Sequence, residues 1–590
     1  MSRRARLGVA SVVLGVLFAA CTQPVTQTLD DVMTERYSGV IQIVGRTNGS
    51  ALTPRETLLV EFLVPVVPES IELGGDLGAV AAVDKVTGPP DGAMSARVTP
   101  PESGWPSGSG RSLTVSARAD QRAVEPVTLS FDVLDSALHV SPSRGSYSGS
   151  GSADRPLNSI HTALARAEEL FGSDSPVELR LAEGVHLIAT TEETVEGIVV
   201  PSWITVAGGY RDDFAVRDSS VHETVIRSLG EPGPFSGEYV AVRLESALLE
   251  GVTVQTPPGA DVLPVRLLGS STVRDLVIEH DDGPALEATG GGVSLVETST
   301  LDSRTTEGVV EVREAGLFIV DTTVRARAEG GDAVGVSVIE GAMELQRSRV
   351  DVGVASGFGV YGWSSEVNLF DTTVTLAGAQ LTYGVYTRSC ELLFVRSVIR
   401  HGPGTINTGM YFEATDALVV NSLVDAGIVE NQSLGIVAEG GSLVVRTSTI
   451  GVSNSGFGSA IQVTAVDSVP VPTTVQNTIL AATGGSGSGY LIDTDSAATT
   501  TLQNSNLFGP TTSSYLATRA FGSDTRILVD SGDIGLVETE IAGAGGTADT
   551  NYDLDPVFAN PVRLIDGGDW RLSAGSPASI RTGGLDGLTL

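Results

Sequence analysis

LLEGVTV (248–254), TVRDLVI (272–278), LVETSTL (295–301), LFIVDTTV (317–324), ELQRSRV (344–350), VNLFDTTV (367–374), LLFVRSVI (392–399), ALVVNSLV (417–424), LVVRTSTI (443–450), TTVQNTIL (473–480) and TTLQNSNL (500–507) are eleven variants of one phrase. They recur with a period near 25 residues through 242–510. Each turns on one residue: Gly251, Asp275, Thr298, Asp321, Arg347, Asp371, Arg396, Asn421, Thr447, Asn477 and Asn504. Two residues earlier stands an apolar column running from Leu249 through Leu345, Leu369 and Phe394 to Leu502. Three residues later stands a second, from Val254 through Val374 and Ile399 to Leu507. Directly after the turn, nine rows in succession carry a hydroxyl, from Ser299 to Ser505.

Alternation at period two in β-branched residues is a strand signal, and no row carries a 3.6-residue pattern. One row cannot bury its apolar face alone, so rows must stack. Stacked parallel strands lie about 4.8 Å apart, which sets like residues over like. The apolar columns then become a continuous core, and the Ser/Thr column an internal ladder. Asn and Asp suit the turn because they tolerate left-handed backbone. Arg347 and Arg396 depart from that preference. A leucine-rich repeat is the alternative, and no row carries its Leu/Asn signature.

These columns, the Gly/Ser loop, proline and short helical segment in 138–172, VAGGY (206–210) and the segment 554–584 together resemble the right-handed parallel β-helix of the pectin-lyase-like superfamily. The resemblance covers roughly 138–590 and implies an all-β solenoid with a capping helix over 159–172 and an irregular closing segment over 511–590. Ile160, Ala163, Leu164, Ala167, Leu170 and Phe171 share one helical face, Asn158 or Ser159 would cap its start, and His161 reads as a helix surface residue. Gly208 and Gly209 read as a tight turn. SDTRILVDSGDIGLV (523–537) reads as one irregular coil, and Phe558, Trp570 and Leu572 as closing cap residues. Relatives carry Asp where Ile580 and Arg581 stand here.

Ahead of the repeat, residues 1–20 read as an export signal: Arg3, Arg4 and Arg6, then an apolar run to Ala20. Leu17-Phe18-Ala19-Ala20-Cys21 resembles a bacterial lipobox, which implies lipidation of Cys21 and, with Thr22 next, an outer-membrane lipoprotein of a Gram-negative bacterium. Residues 21–37 form a polar tether. Residues 38–135 read as a separate β-sandwich, with strands at GVIQIVG, TLLVEFLV, SLTVSARA and VTLSFDV. Its end, 97–133, resembles bacterial Ig-like domains, and the unit reads as a spacer.

The 590 residues carry a formal net charge of −35. That argues against nucleic acid and against anionic lipid surfaces, leaving a lipid anchor as the membrane contact. Cys21 and Cys390 are the two cysteines and the histidines are scattered, so no metal-ligand spacing exists. Cys390 reads as a buried inert thiol. Asp281 and Asp282, in IEHDDG (278–283), would suit Ca²⁺ but read equally as a solvated turn, and no motif supports a cofactor. No G-x-S-x-G occurs, the recurring serines face the core, and the catalytic signatures of lyases and glycosidases on this fold are missing.

The strongest surface feature follows Gly359, Gly384 and Gly409, each read as preceding a strand: VYGW, VYTR and MYFE. Parity turns Val360, Val385 and Met410 inward and Tyr361, Tyr386 and Tyr411 outward, as a three-rung aromatic ladder. Two residues on, also outward, come Trp363, Arg388, Glu413 and, one coil later, Glu439. An aromatic column beside an Arg and acids suits sugar rings; cross-strand stacking that only stabilises the sheet explains it as well. The expectation is therefore a cell-surface lipoprotein whose β-helix binds carbohydrate or a partner surface without catalysis. The alternatives are a polysaccharide lyase or glycoside hydrolase on the same face, and a purely structural envelope protein.

Overall fold

The computed structural model describes residues 41–551, apart from a number of residues between and at the edges of elements, and the strands Phe558–Asn560 and Asp569–Leu572. Residues 1–40, with the expected signal, Cys21 and tether, lie outside the described residues, as do Ile580, Arg581 and the side chains of Phe558, Trp570 and Leu572. The chain divides into an N-terminal unit, chiefly Arg55–Pro106 and Gly110–Phe131, and a larger unit containing Asp132–Leu590.

In the N-terminal unit Ile41–Ile43, Leu58–Val66, Ala93–Thr99 and Ala82–Thr87 pair antiparallel in that order. Gly108–Ser116 pairs with Glu72–Gly74 in a second small antiparallel sheet. The strands AVDKVT and AMSARVT escaped the sequence reading because neither carries a clean apolar alternation. Phe62, Val98, Leu113 and Phe131 form the buried centre, and Trp105 is buried with its indole N–H donating to the Glu56 carbonyl at 2.7 Å. That bond lets a large ring be buried without an orphaned donor.

The larger unit is a parallel β-solenoid of about 12 turns. Each regular coil contributes three strands, and each strand pairs in parallel with its counterparts in the coils before and after. The repeat columns are in register throughout: Leu345 pairs with Leu369, Leu369 with Phe394, and Phe394 with Val419. Every residue of both apolar columns is fully buried. A leucine or valine buried this way contributes ~1.5–3 kcal/mol, so the stack of rows supplies most of the driving force for folding.

All eleven turn residues have positive φ, between 46° and 67°. The two arginines are explained by what lies next to them. Arg347 donates to both carboxylate oxygens of Asp321, at 2.9 and 3.2 Å, and Arg396 does the same to Asp371. An arginine at the corner thus sits over an aspartate at the same corner one coil earlier, and a bidentate pair offsets the left-handed backbone.

The hydroxyl ladder closes the hydrogen bonds that the corner opens. Ser397 Oγ donates to the Val395 carbonyl at 2.9 Å and accepts the Thr372 N–H at 3.1 Å. Ser299, Thr322, Ser348, Ser422, Ser448 and Ser505 repeat this pair of bonds. A second corner was not visible in the sequence. Ser364, Ser389 and Ala414 have φ of 50°, 55° and 47°, and Ser365, Cys390 and Thr415 follow them as a second ladder. There Cys390 Sγ takes the Ser365 N–H at 3.4 Å, and burial raises its thiol pKa. The thiol is a rung of that ladder.

Both ends of the solenoid carry helices. Ile160–Phe171 is capped by Ser159, whose side chain accepts the Thr162 N–H, and ends at Gly172 with φ 65°. Ile160, Ala163 and Ala167 are buried, but Leu170 is 48% exposed and does not belong to the packed face. His161 is exposed and its Nε2 donates to the Gly197 carbonyl at 2.7 Å. Gly208 and Gly209 lie inside the strand Ile204–Tyr210 rather than at a tight turn; a side chain on Gly208 would meet the Gly251 carbonyl oxygen at 2.3 Å, and Gly209 holds a left-handed φ of 80°.

The segment 523–537 is not one coil. Arg526–Asp530 pairs antiparallel with Ser513–Arg519, and Ile534–Gly543 is a helix that buries Val537 and Ile541 in the core. Beyond it, Thr550 repeats the corner with φ 55°, and Asn551 Oδ1 accepts the Ser505 N–H at 3.0 Å, ending the ladder.

Candidate ligand-binding face

The aromatic residues stand on the strands Ser356–Trp363, Leu381–Arg388 and Gly404–Val420, which pair in that order. Gly359, Gly384 and Gly409 lie within these strands rather than ahead of them. A Cβ on any of them would come within 2.2 to 2.5 Å of a neighbouring coil's glycine carbonyl oxygen or of a core side chain. Gly335 and Gly435 are held by the same constraint. At each glycine the strand turns two successive residues inward, Gly359 and Val360 for example. Outward residues therefore fall three apart across the glycine, as at a β-bulge.

This places more rings on the face than strict alternation predicts. Tyr361 pairs with Tyr386 and Tyr386 with Tyr411. Their rings are parallel to within 8° and 3°, with centroids 5.5 and 5.3 Å apart, an offset stack. Phe358 and Tyr383, each three residues before a ladder tyrosine, form a second stack 5.1 Å apart. The two stacks meet edge to face at 73° to 85° and 5.6 to 5.8 Å. Strict period-two alternation would point Phe358 and Tyr383 inward. The signal that finds them is the aromatic residue immediately before each column glycine, in FG (358–359) and YG (383–384).

All five rings are half-buried. The rim beside them is more open: Trp363 is 42% exposed, Leu381 38%, and the Arg388 side chain 60%. Trp363, Arg388, Glu413 and Glu439 are successive residues of one outward column. The Tyr386 hydroxyl donates to Glu413 Oε1, and Tyr411 makes the corresponding bond to Glu439. Arg388 Nε lies 3.4 Å from Glu413 Oε2. Burial, then the carboxylate each hydroxyl donates to, pushes the pKa of Tyr386 and Tyr411 well up. Tyr383 is raised by burial and then by the charges of Glu413 and Glu439. The Tyr386 and Tyr411 phenols are thus donors to these carboxylates.

Asp281 and Asp282 are exposed, with Arg304 Nε 3.7 Å from Asp281 Oδ1. Among the described residues no group of three or more His, Cys, Asp or Glu is placed to hold a metal ion. The ladder serines face inward, bonded to backbone, and present no nucleophile to solvent.

No protein-family model and no curated protein matches the chain. Among solved structures it is similar to the A-module of the mannuronan C-5 epimerase AlgE6 of Azotobacter vinelandii, with 11% identity and a TM-score of 0.32 over 68% of this chain and 96% of that one. It is also similar to a GH136 lacto-N-biosidase from Eubacterium ramulus, with 11% identity and a TM-score of 0.27 over 66% of each chain.

Proposed function

We propose that this chain is a cell-surface lipoprotein of the outer membrane whose β-solenoid binds carbohydrate, without catalysis, on the aromatic face of residues 356–439. The observation that carries this reading is the five-ring cluster of Phe358, Tyr361, Tyr383, Tyr386 and Tyr411, with Trp363, Arg388, Glu413 and Glu439 along its edge. Sugar rings offer C–H faces to aromatic surface and hydroxyls to carboxylates, and this face supplies both. The N-terminal unit acts as a spacer between the anchor at Cys21 and the solenoid. A partner protein's surface is the other ligand class that such a face accepts.

Binding is favoured over turnover by the state of the polar groups. The Tyr386 and Tyr411 hydroxyls donate to Glu413 and Glu439, and Arg388 lies 3.4 Å from Glu413. A lyase needs a free base and a hydrolase an acid and a base on opposite sides of a bond. The second reading, a polysaccharide lyase or hydrolase, rests on the proximity of Arg388, Glu413 and Tyr386. A glycan array followed by calorimetry on the full chain tests the first. An assay for new reducing ends and unsaturated products on every glycan that binds tests the second. Binding without product supports the proposal; turnover that Arg388→Ala abolishes replaces it.

A further inference from the structure

We infer that the preferred ligand of this face is a glycan carrying free amino groups. The inference rests on the carbohydrate-binding reading above and specifies its charge. Along this sheet the arginines are matched by carboxylates: Arg243 by Glu245, Arg266 by Glu287, Arg313 by Glu311 at 2.7 Å, and Arg388 by Glu413 at 3.4 Å. Glu439 follows Glu413 in the same column and accepts a hydrogen bond from the neutral phenol of Tyr411. No arginine pairs with Glu439 among the described residues. The column then continues to Thr464, so it offers no further cation.

Past Arg388, a ligand lying on the rings therefore meets the carboxylates of Glu413 and Glu439, which only accept hydrogen bonds. Sugar hydroxyls satisfy them, but an ammonium forms the stronger, charge-assisted bond. The exposed Trp363 ring adds cation–π attraction. A uronate or sulfated chain meets the charge of Glu439, which no arginine offsets, while Arg388 is drawn toward Glu413 at 3.4 Å. The formal net charge of −35 acts in the same direction at longer range.

The test is calorimetry on the full chain with three short probes of equal length: a glucosamine oligomer, its fully N-acetylated counterpart and an oligouronate. The expected order is amine, then acetylated, then uronate, with about a tenfold gap between first and last that narrows in 1 M salt. Glu439→Gln should remove most of the amine's advantage, while Asp282→Asn, at an exposed turn elsewhere, should leave it intact. If Glu439→Gln does not fold, Glu413→Gln takes its place; by releasing Arg388 it should raise affinity for the oligouronate. Equal affinity for the amine and acetylated probes, or tighter binding of the uronate, overturns this inference and leaves the carbohydrate reading standing. Equal losses in Asp282→Asn and Glu439→Gln also overturn it, since the preference would then be a property of overall charge. Binding of none of the three probes, with none on the array, overturns the carbohydrate reading itself.

Discussion

Arg396 lies over Asp371 at the same corner of neighbouring coils, and its Nε and Nη2 each reach a carboxylate oxygen at 2.7 Å. Both residues hold φ of 49°, a conformation that costs a branched or long side chain about 1 kcal/mol or more. The pair is partly exposed, so solvent screens it, and a contribution of about 1 kcal/mol is expected. Asp371→Ala should lower stability by that amount in the native background and by less in an Arg396→Asn background. Denaturant melts in a double-mutant cycle measure the difference. A coupling energy of zero would mean that the corner tolerates arginine for another reason.

Leu369 is fully buried between Leu345 and Phe394 in the apolar column. Leu369→Asp places a carboxylate there with no partner and should cost ~4 kcal/mol or more, or prevent folding. Circular dichroism melts against a Leu369→Val control measure the effect. A melting curve equal to the native one would contradict the register.

Glu344 stands beside Phe318 and Asn368 on the outward face of its strand, yet it is almost wholly covered. Burial, reinforced by the nearby Glu366 charge, pushes its pKa up to about 7 against an ordinary 4.5, despite a hydrogen bond from Gln346. The folded state thus binds a proton that the unfolded chain gives up, so the stability this proton confers is complete below pH 4.5 and lost as pH rises through 7. Glu344→Gln keeps the acceptor for Gln346 and carries no charge. It should match the native protein near pH 4 and exceed it above pH 7, by an amount on the order of 1–3 kcal/mol. Paired melts at pH 4 and pH 8 check this, and a gain that is larger at low pH would refute the assignment.

Tyr386 separates the two roles of the ring cluster. Tyr386→Phe keeps the stack on Tyr361 and Tyr411 and removes the hydroxyl that holds Glu413. It should change stability by about 1 kcal/mol or less and alter glycan affinity through the freed carboxylate. Tyr386→Ala breaks both stacks and should lower the melting temperature as well. If neither change touches the binding of any glycan, the face is structural.

Cys21 carries the anchoring proposal. A fatty-acid probe fed to expressing cells should label the native chain and leave Cys21→Ala unlabelled, and the variant should appear in the soluble fraction. Equal labelling of the two would remove the anchor.

The eleven rows determined the solenoid by themselves. A parallel stack repeats each position about every 4.8 Å, so an apolar column in the sequence is an apolar column in space. Leu369 and Val374 were therefore legible as core, and Ser397 as a ladder rung, before any coordinate was known. The same reasoning located Tyr361, Tyr386, Tyr411 and the column from Trp363 to Glu439, since parity within a strand decides which side a residue takes. Tertiary structure decided what parity does not express. Gly359 and Gly384 each shift the alternation by one because a neighbouring coil's backbone passes too close for a Cβ, and those shifts bring Phe358 and Tyr383 onto the face. Arg396 fits its corner because of Asp371, 25 residues earlier in the chain and one coil away in space. The Tyr386 phenol donates to Glu413, a side chain of the next coil, and the Arg388 guanidinium lies 3.4 Å from the same carboxylate. A periodic sequence specifies which residues stack; how two stacked side chains share protons and charge is set by distances that exist only after the coils have closed on one another.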